Sequence, residues 1–407
     1  MKSVVVIGGG FSGLVTAYYL AKRGHPVELH EARWRLGGML GTDLTPHGMA
    51  ESAANGFMLS DDLAELLADL KLDFISPLSE YKRKRFIFRG GLRRWPLGLF
   101  ETVSLMMKFG VRWLFRRKSM TPKNRETVWT WGLRNLGFAP TKYLLSPGLQ
   151  GIYASDARSL SAELILGPMF RGSGGGKRSR YRGTISFRGG MQAFVDAMER
   201  RLRELGVRIH LNSNFALATL DQPCVVTVSA AAVPNVVRAV APDVAAEFAE
   251  VEMLPVISAT VFYERAAEKI EGFGCLFPEG EKFKALGVLS NTYIFADRGP
   301  DYSETWILGG ARSAEVLLKP DLEILALIQQ ERKRIFASAT EFSEYRIHRW
   351  PRGLPHYTPE LAAKLDRLRL PKNLYLNGNY LGGIGLSKIL SRTKELAARV
   401  ESGERFL

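Results

Sequence analysis

An α/β fold is predicted by three observations on this sequence. A run of β-branched aliphatics from Ser3 to Ile7 is followed at once by Gly8, Gly9, Gly10 and Gly13. A helical stretch and a second strand come next. The same strand–glycine–helix order returns near the other end, from Asn373 to Val400. Hydrophobic residues are 46% and charged residues 24% of the 407, a composition that buries a large core rather than staying disordered. The length suits two or three structural domains.

Taken in order, Ser3 to Ile7 reads as a buried strand. Leu14 to Lys22 reads as a helix closed by Arg23 and Gly24, and Pro26 to His30 as a second strand that delivers Glu31. The turn between them is a G-x-G-x-x-G. Gly8 allows the tight turn, Gly10 lets backbone N–H groups reach a pyrophosphate, and Gly13 permits close helix–strand packing. With Phe11 and Ser12 they open a helix whose N-terminus favours phosphate charge. Glu31 stands 21 residues after Gly10, where a carboxylate accepts hydrogen bonds from an adenosine ribose and disfavours a 2′-phosphate. A dinucleotide without that phosphate is therefore expected on a Rossmann-type unit; the alternative is a bare glycine-rich turn. Ala32, Arg35, Gly37 and Gly38 continue Glu31 into an E-A-x-x-R-x-G-G run. It resembles the second FAD motif of the amine oxidase superfamily, in which the arginine and paired glycines approach the pyrophosphate and the flavin end. That resemblance selects FAD over NAD; otherwise Arg35 is a solvated surface charge.

From Tyr81 to Arg125 the character changes. Lys82, Arg83, Lys84, Arg85, Arg89, Arg93 and Arg94 surround Phe86, Ile87, Phe88, Leu92 and Trp95. Leu97 to Phe115 then reads as an apolar helix closed by Arg116, Arg117 and Lys118. An apolar helix with a basic collar is the pattern of an anchor entering one leaflet, so residues 97–118 are expected to contact a membrane surface. The competing reading is an internal core helix with solvated ends. No run of about 18 uncharged apolar residues occurs, so a spanning helix is not expected.

Met191 to Leu205 reads as a helix, and Val207 to Leu211 and Cys224 to Val228 as strands that return the chain to the nucleotide fold. Asn373 to Leu376 reads as a strand and Ser387 to Val400 as a helix. The glycine-rich segment between them offers Gly378, Asn379, Gly383 and Ile384 to a flavin's ribityl chain and pyrophosphate. Phe215 is counted with these cofactor residues. The fold class is thus α/β: a Rossmann-type FAD-binding domain (1–80, 183–235 and 369–407), a mixed-sheet substrate domain (236–368) and a helical insertion suited to a membrane surface (81–182).

The formal charge is +15, from 56 Lys and Arg against 41 Asp and Glu, which attracts polyanions. Zinc-finger and RNA-binding signatures are missing, so nucleic acid is not expected as a partner. The basic residues lie beside bulky apolar ones, which favours a membrane surface. Cys224 and Cys275 are the two cysteines, far apart and outside any metal-ligand spacing, which fits a reducing cytoplasm and no metal. No cysteine follows Cys275, which excludes cysteinyl attachment of a flavin near the C-terminus, and the FAD is expected to be non-covalent. The first residues lack the pattern of a secretory or transit peptide.

Five spaced segments carry a resemblance that runs from end to end. FRGGMQAFVDAM from Phe187 resembles an F-R-G-G-x-Q segment, and GIYASDARSLS from Gly151 a G-x-x-A-G-D-P-x-x-L-S loop. GFGCLFPEGEKFKALGVLSNTYIFADRGP from Gly272, RWPRGLPHYTPE from Arg349 and GNYLGG from Gly378 complete the set. The chain resembles the oxygen-dependent protoporphyrinogen oxidase family, including its coproporphyrinogen-oxidising bacterial members. The resemblance implies hydride removal from an anionic tetrapyrrole porphyrinogen in haem biosynthesis, with oxygen as acceptor. It implies that Leu276 and Leu289 sandwich the tetrapyrrole and that Arg85, with Arg89 and Arg93 near it, holds a propionate. Read from the residues alone, the leucines are core and the arginine is a headgroup contact.

The sequence also departs from that pattern. Ser155 stands where the family has the glycine of A-G-D, and His356 where it has the glutamine of P-Q-Y. Ile307, beside Trp306, takes the place of an aromatic expected at the substrate, and Ala53-Ala54 that of Gly-Pro. Gly385-Leu386-Ser387 does not follow the family's V-x-D-C. No Ser/His/Asp, Cys/His or paired-carboxylate arrangement is evident, and the one catalytic candidate is His356, placed to take up a proton near the flavin; its alternative is a hydrogen-bonded loop histidine. Two other functions stay open: an FAD oxidase, desaturase or amine oxidase acting on another apolar substrate, and a non-enzymatic tetrapyrrole-binding flavoprotein.

Overall fold

A computed structural model describes residues 3–170, 181, 183–264, 268–337 and 341–404. The ends of the 1–80, 81–182 and 369–407 ranges therefore lie outside the described residues.

Among the described residues the strands are β1 (Val4–Ile7), β2 (Val27–His30), β3 (Thr42–Thr45), β4 (Gly48–Glu51), β5 (Phe57–Met58), β6 (Arg85–Phe88), β7 (Leu92–Arg93) and β8 (Thr184–Ile185), then β9 (Arg208–His210), β10 (Cys224–Val226), β11 (Met253–Tyr263), β12 (Gly274–Leu276), β13 (Gly287–Ser290), β14 (Tyr302–Gly309), β15 (Glu344–Pro355) and β16 (Leu374–Leu376). A five-stranded sheet runs β16-β10-β1-β2-β9, every pairing parallel. Both faces are covered, which is why β1 is apolar at every position. Val4 and Val6 face a core shared with helix α1 (Phe11–Lys22) and the helices Gly190–Glu204 and Leu386–Ser402. Val5 and Ile7 face a second core built with Val233, Val237, Val244 and Phe248.

α1 starts three residues earlier than the sequence predicts. Gly10 is still extended and caps the helix, so Phe11, Ser12 and Gly13 form its first turn. Helix Pro242–Ala249 packs on the five-stranded sheet, although the 236–368 range assigns it to the substrate domain.

The second sheet is mixed and seven-stranded, in the order β15-β11-β14-β13-β12-β6-β7, with β12 and β6 parallel. β6 and β7 thus belong to this sheet and not to the helical insertion in which the 81–182 range puts them. Their alternation decides it: Phe86 and Phe88 face the sheet's core while Arg85 and Ile87 face away. That core stacks Ile257, Ala259, Val261, Trp306 and Leu308 against Ile324 and Ile328 of helix Asp321–Phe336.

After helix α2 (Asp61–Asp69), the insertion proper opens with helix α3 (Leu99–Phe115). Helices Val128–Asn135 and Ser146–Tyr153 hold a small core around Trp131, Tyr153 and Leu160. α3 lends that core the partly buried Phe109 and Trp113, and no residue of α3 is fully buried. The core-helix reading is overturned: Leu99 is 77% exposed, Phe100 90%, Leu114 76% and Phe115 79%. Arg89 ties down the start of α3 through Glu101, at 2.7 Å, and that hydrogen bond holds the Glu101 carboxyl below its ordinary range.

Candidate active site

The two glycine-rich turns meet at the carboxyl ends of the parallel strands, where open α/β sheets bind ligands. Gly8 has φ +106°, which only glycine adopts without strain. Gly9 N–H donates to Glu31 Oε2 at 2.6 Å, and Arg33 N–H to Oε1 at 2.8 Å, so the buried Glu31 closes the turn from below. Ala32 beside it is exposed. Gly37 N–H donates to Gly9 O at 2.8 Å, which brings Gly38 against Gly10.

Arg35 is half-buried and donates to three carbonyls of its own loop, Leu36 and Leu40 at 3.1 and 2.9 Å and Gly38 at 3.2 Å. The surface-charge reading therefore fails; the guanidinium shapes the glycine pair. α1 presents a first turn with no acid and no side-chain cap, so its N–H groups are directed at whatever occupies the space in front. A Cβ on Gly10 would meet nothing nearer than Gly38 Cα, at 3.8 Å. These residues fit a pyrophosphate.

The second turn follows β16. Asn377 is fully buried and donates to Thr16 Oγ1 of α1 at 3.0 Å and to Thr393 Oγ1 at 2.7 Å, which locks the two turns together. Arg392 donates to the carbonyls of Gly378 and Leu381. The Tyr357 phenol donates to Asn379 O and accepts from Gly383 N–H at 3.0 Å. Gly382 has φ +91° with open space before it, and Ile384 is half-buried. Phe215 stacks on His30 at 4.1 Å, and His30 stacks on His210. Burial holds the His30 imidazole below its ordinary range.

Strand register gathers the four residues assigned to the substrate. Gly274 lies opposite both Leu289 and Arg85; Gly287 lies opposite both Leu276 and Ile307. All four therefore share one face of the seven-stranded sheet. Leu276, Leu289 and Ile307 are half-buried and Arg85 is exposed, with its guanidinium 4.1 Å over Phe273. Arg93, opposite Ile87 on the edge strand, is on the same face, whereas Arg89 is occupied by Glu101. Trp306 points the other way, fully buried against Phe277. The candidate face abuts the nucleotide turns: Trp350 Nε1–H donates to Ser52 O at 2.8 Å, and Ser52 Oγ to Met39 O at 2.7 Å.

His356 has partners on both ring nitrogens, Ser155 Oγ at 2.7 Å and Glu252 Oε2 at 2.6 Å. A Ser/His/carboxylate arrangement does exist, contrary to the sequence expectation; its members are 201 and 104 residues apart. Tyr357, Arg392 and Asn377 were missed for the same reason. Each acts on a turn whose place in space no local pattern gives. Both cysteines are free and buried, and burial pushes the Cys224 thiol up to about 11.

Residues 11–385 match the family described as flavin containing amine oxidoreductase. The chain is 27% identical to a mitochondrial protoporphyrinogen oxidase of Nicotiana tabacum, over 96% of this chain and 93% of that protein. It is 23% identical to protoporphyrinogen oxidase of Homo sapiens, over 98% of each. In fold it is similar to a putative protoporphyrinogen oxidase from Exiguobacterium sp. 255-15, with a TM-score of 0.79 at 18% identity and 99% coverage of both chains. It is also similar to cyclohexylamine oxidase from Brevibacterium oxydans, with a TM-score of 0.69 at 16% identity and 98% coverage of both. A nucleotide cradle and a mixed substrate sheet in one chain, matched along almost its whole length, settle the family: this protein belongs to the flavin-containing amine oxidoreductases and is an FAD-dependent, protoporphyrinogen oxidase-like oxidoreductase.

Proposed function

We propose that this protein oxidises a porphyrinogen, with dioxygen as the final acceptor. The observation that carries the reading is the single sheet face that collects Leu276, Leu289, Ile307 and Arg85. An apolar strip with a cation at one end suits a planar macrocycle bearing carboxylates, because the guanidinium can bond a propionate bidentately while the ring system lies on the aliphatic side chains. Bound FAD supplies two-electron oxidation of a substrate carbon and is returned to its oxidised form by oxygen. The chain's own part is to hold the carbon in place and keep water from it.

The test is anaerobic mixing of the holoprotein with protoporphyrinogen or coproporphyrinogen while the visible flavin absorbance is followed. Bleaching, then recovery with peroxide release when air is admitted, is the expected result. Arg85→Ala should raise KM on the order of tenfold or more with a smaller change in kcat, as loss of a charge-assisted contact does. A flavin that no porphyrinogen bleaches removes the reading. An oxidase for another apolar or amine substrate then takes its place; Ile307, where an aromatic is expected, is the observation that favours it. A peroxide-release screen over amines separates the two.

The protein is further proposed to work at a membrane surface through α3. Its Leu99, Phe100, Met106, Met107, Leu114 and Phe115 are all exposed, which is costly in water and favourable in the acyl boundary. Among the described residues, no helix is long and apolar enough to cross a membrane. Replacing Leu99, Phe100 and Leu114 by Asp should lower partitioning to anionic liposomes on the order of tenfold or more, with FAD content unchanged. Equal flotation of the variant and the parent protein would exclude α3 as the contact.

A further inference from the structure

We propose that Ser155, His356 and Glu252 form one hydrogen-bonded latch that fixes Tyr357 and, through its phenol, the Asn379–Gly383 turn against the cofactor. The inference rests on the reading that this turn takes FAD.

The latch is continuous. Ser155 Oγ lies 2.7 Å from His356 Nε2, and His356 Nδ1 lies 2.6 Å from Glu252 Oε2. His356 N–H also donates to Glu252 O at 2.9 Å, so the same residue is held by main chain and side chain. A carboxylate only accepts, so in the neutral ring Nδ1 carries the proton and Nε2 accepts the Ser155 hydroxyl. The ring then has no freedom to turn. Tyr357 follows directly, fully buried, with its carbonyl accepting from Ser161 N–H at 2.7 Å and its ring edge-on to Tyr153 at 5.0 Å. Among the described residues, its phenol is the one side-chain group that bridges Asn379 O and Gly383 N–H.

The turn it holds has little means of fixing itself. Gly382 and Gly383 sit at φ +91° and +152° and bring no side chains, and Arg392 reaches only the carbonyls before them. A hydrolytic role for the Ser–His–Glu set does not fit. Ser155 is 1% exposed, so no carbonyl carbon can approach its Oγ, whereas Glu252 at the far end is open to water. Burial of the serine and exposure of the acid suit holding rather than attack. Two of the positions where the sequence leaves the family pattern, Ser155 and His356, touch each other, which is what a compensating pair would do.

The experiment is a set of FAD dissociation constants, read from the fluorescence of released flavin, for Ser155→Ala, Tyr357→Phe and the double variant. Each single change is expected to weaken FAD binding on the order of tenfold. If Ser155 acts through the phenol, adding its change to Tyr357→Phe should cost no more than about twofold further. Glu252→Gln, which still accepts from Nδ1, should bind FAD like the parent, and Glu252→Ala like Ser155→Ala. General loosening of the core would show no such rescue. Should Ser155→Ala not fold, His356→Gln, which keeps one of the two partners, gives the same comparison. Independent, multiplying effects of the 155 and 357 changes, or an affinity within about twofold of the parent for Ser155→Ala, would overturn the latch. A parent protein with no affinity for FAD would overturn the cofactor reading and the latch together; a parent that binds FAD with a silent Ser155→Ala removes the latch alone.

Discussion

Gly13→Ala should abolish FAD retention through gel filtration and lower stability by about 2–4 kcal/mol. The reason is space. A Cβ at Gly13 would overlap the Gly8 carbonyl oxygen and stand 2.8 Å from Thr227 Oγ1. Neither obstacle can yield cheaply. Gly8 is held by its own N–H to His30 O at 2.8 Å, and Thr227 Oγ1 donates to Gly8 O at 2.7 Å. Relief therefore means moving α1 away from β1, which takes the N–H groups of its first turn away from the proposed pyrophosphate position and opens the core around Leu14 and Val15. Gly110→Ala is the control. That glycine lies in α3 with nothing near its would-be Cβ, so the change should leave FAD binding intact and stabilise the helix by roughly 0.5–1 kcal/mol. Full FAD occupancy in Gly13→Ala would mean that the turn is not the phosphate site.

The nucleotide half was legible because its chemistry is local. A strand, three spaced glycines, a helix and an acid lie within thirty-one residues, and each is needed by its neighbour. The strand–glycine–helix repeat after Asn373 was legible on the same ground. The helix boundary at Phe11 was missed since glycine and serine in a first turn look like the loop before it. Residues 85–93 were assigned to the helical insertion because their basic charge masks a period-two pattern; only pairing with Gly274–Leu276 reveals Arg85 and Ile87 as one face of a sheet. α3 was the reverse case: composition marked it as unusual, and its exposure removed the reading as a core helix. What no reading of the chain could supply was the set of long-range polar contacts, Tyr357 to Gly383 and Ser155 to His356 to Glu252. Hydrogen bonds between loops have no sequence period, so they become visible only when the sheets fix where those loops lie.

Arg332→Met should cost about 3–5 kcal/mol of stability, measured by chemical denaturation of the holoprotein. Glu304 is completely buried on β14, and it accepts from Tyr302 and Tyr263 hydroxyls at 2.9 and 3.2 Å, from Trp306 Nε1–H at 3.1 Å and from Arg332 Nε–H at 3.2 Å. Arg332 comes from the helix Asp321–Phe336, packed between Tyr263 and Phe336, and also reaches Glu268 O. Burial pushes both tyrosine hydroxyls well above their ordinary range, so they stay protonated and go on donating. Methionine keeps much of the side-chain volume but leaves a carboxylate in the core with neutral donors only. Deleting one partner is the expensive change; deleting both is not. Arg332→Met combined with Glu304→Gln should therefore recover more than half of the loss, since the amide carries no charge, its oxygen can still accept from Tyr263 and Trp306, and its NH2 can donate to the Tyr302 hydroxyl oxygen. The candidate substrate face lies on the opposite side of the same strands, with Thr305 and Ile307 alternating with Glu304 and Trp306. A shift of β14 in the single variant should thus raise KM for the substrate, while FAD affinity, set by the other sheet, stays within about twofold. A loss below about 1 kcal/mol would show that the pair is replaceable packing and that the sheet is held by its apolar core alone.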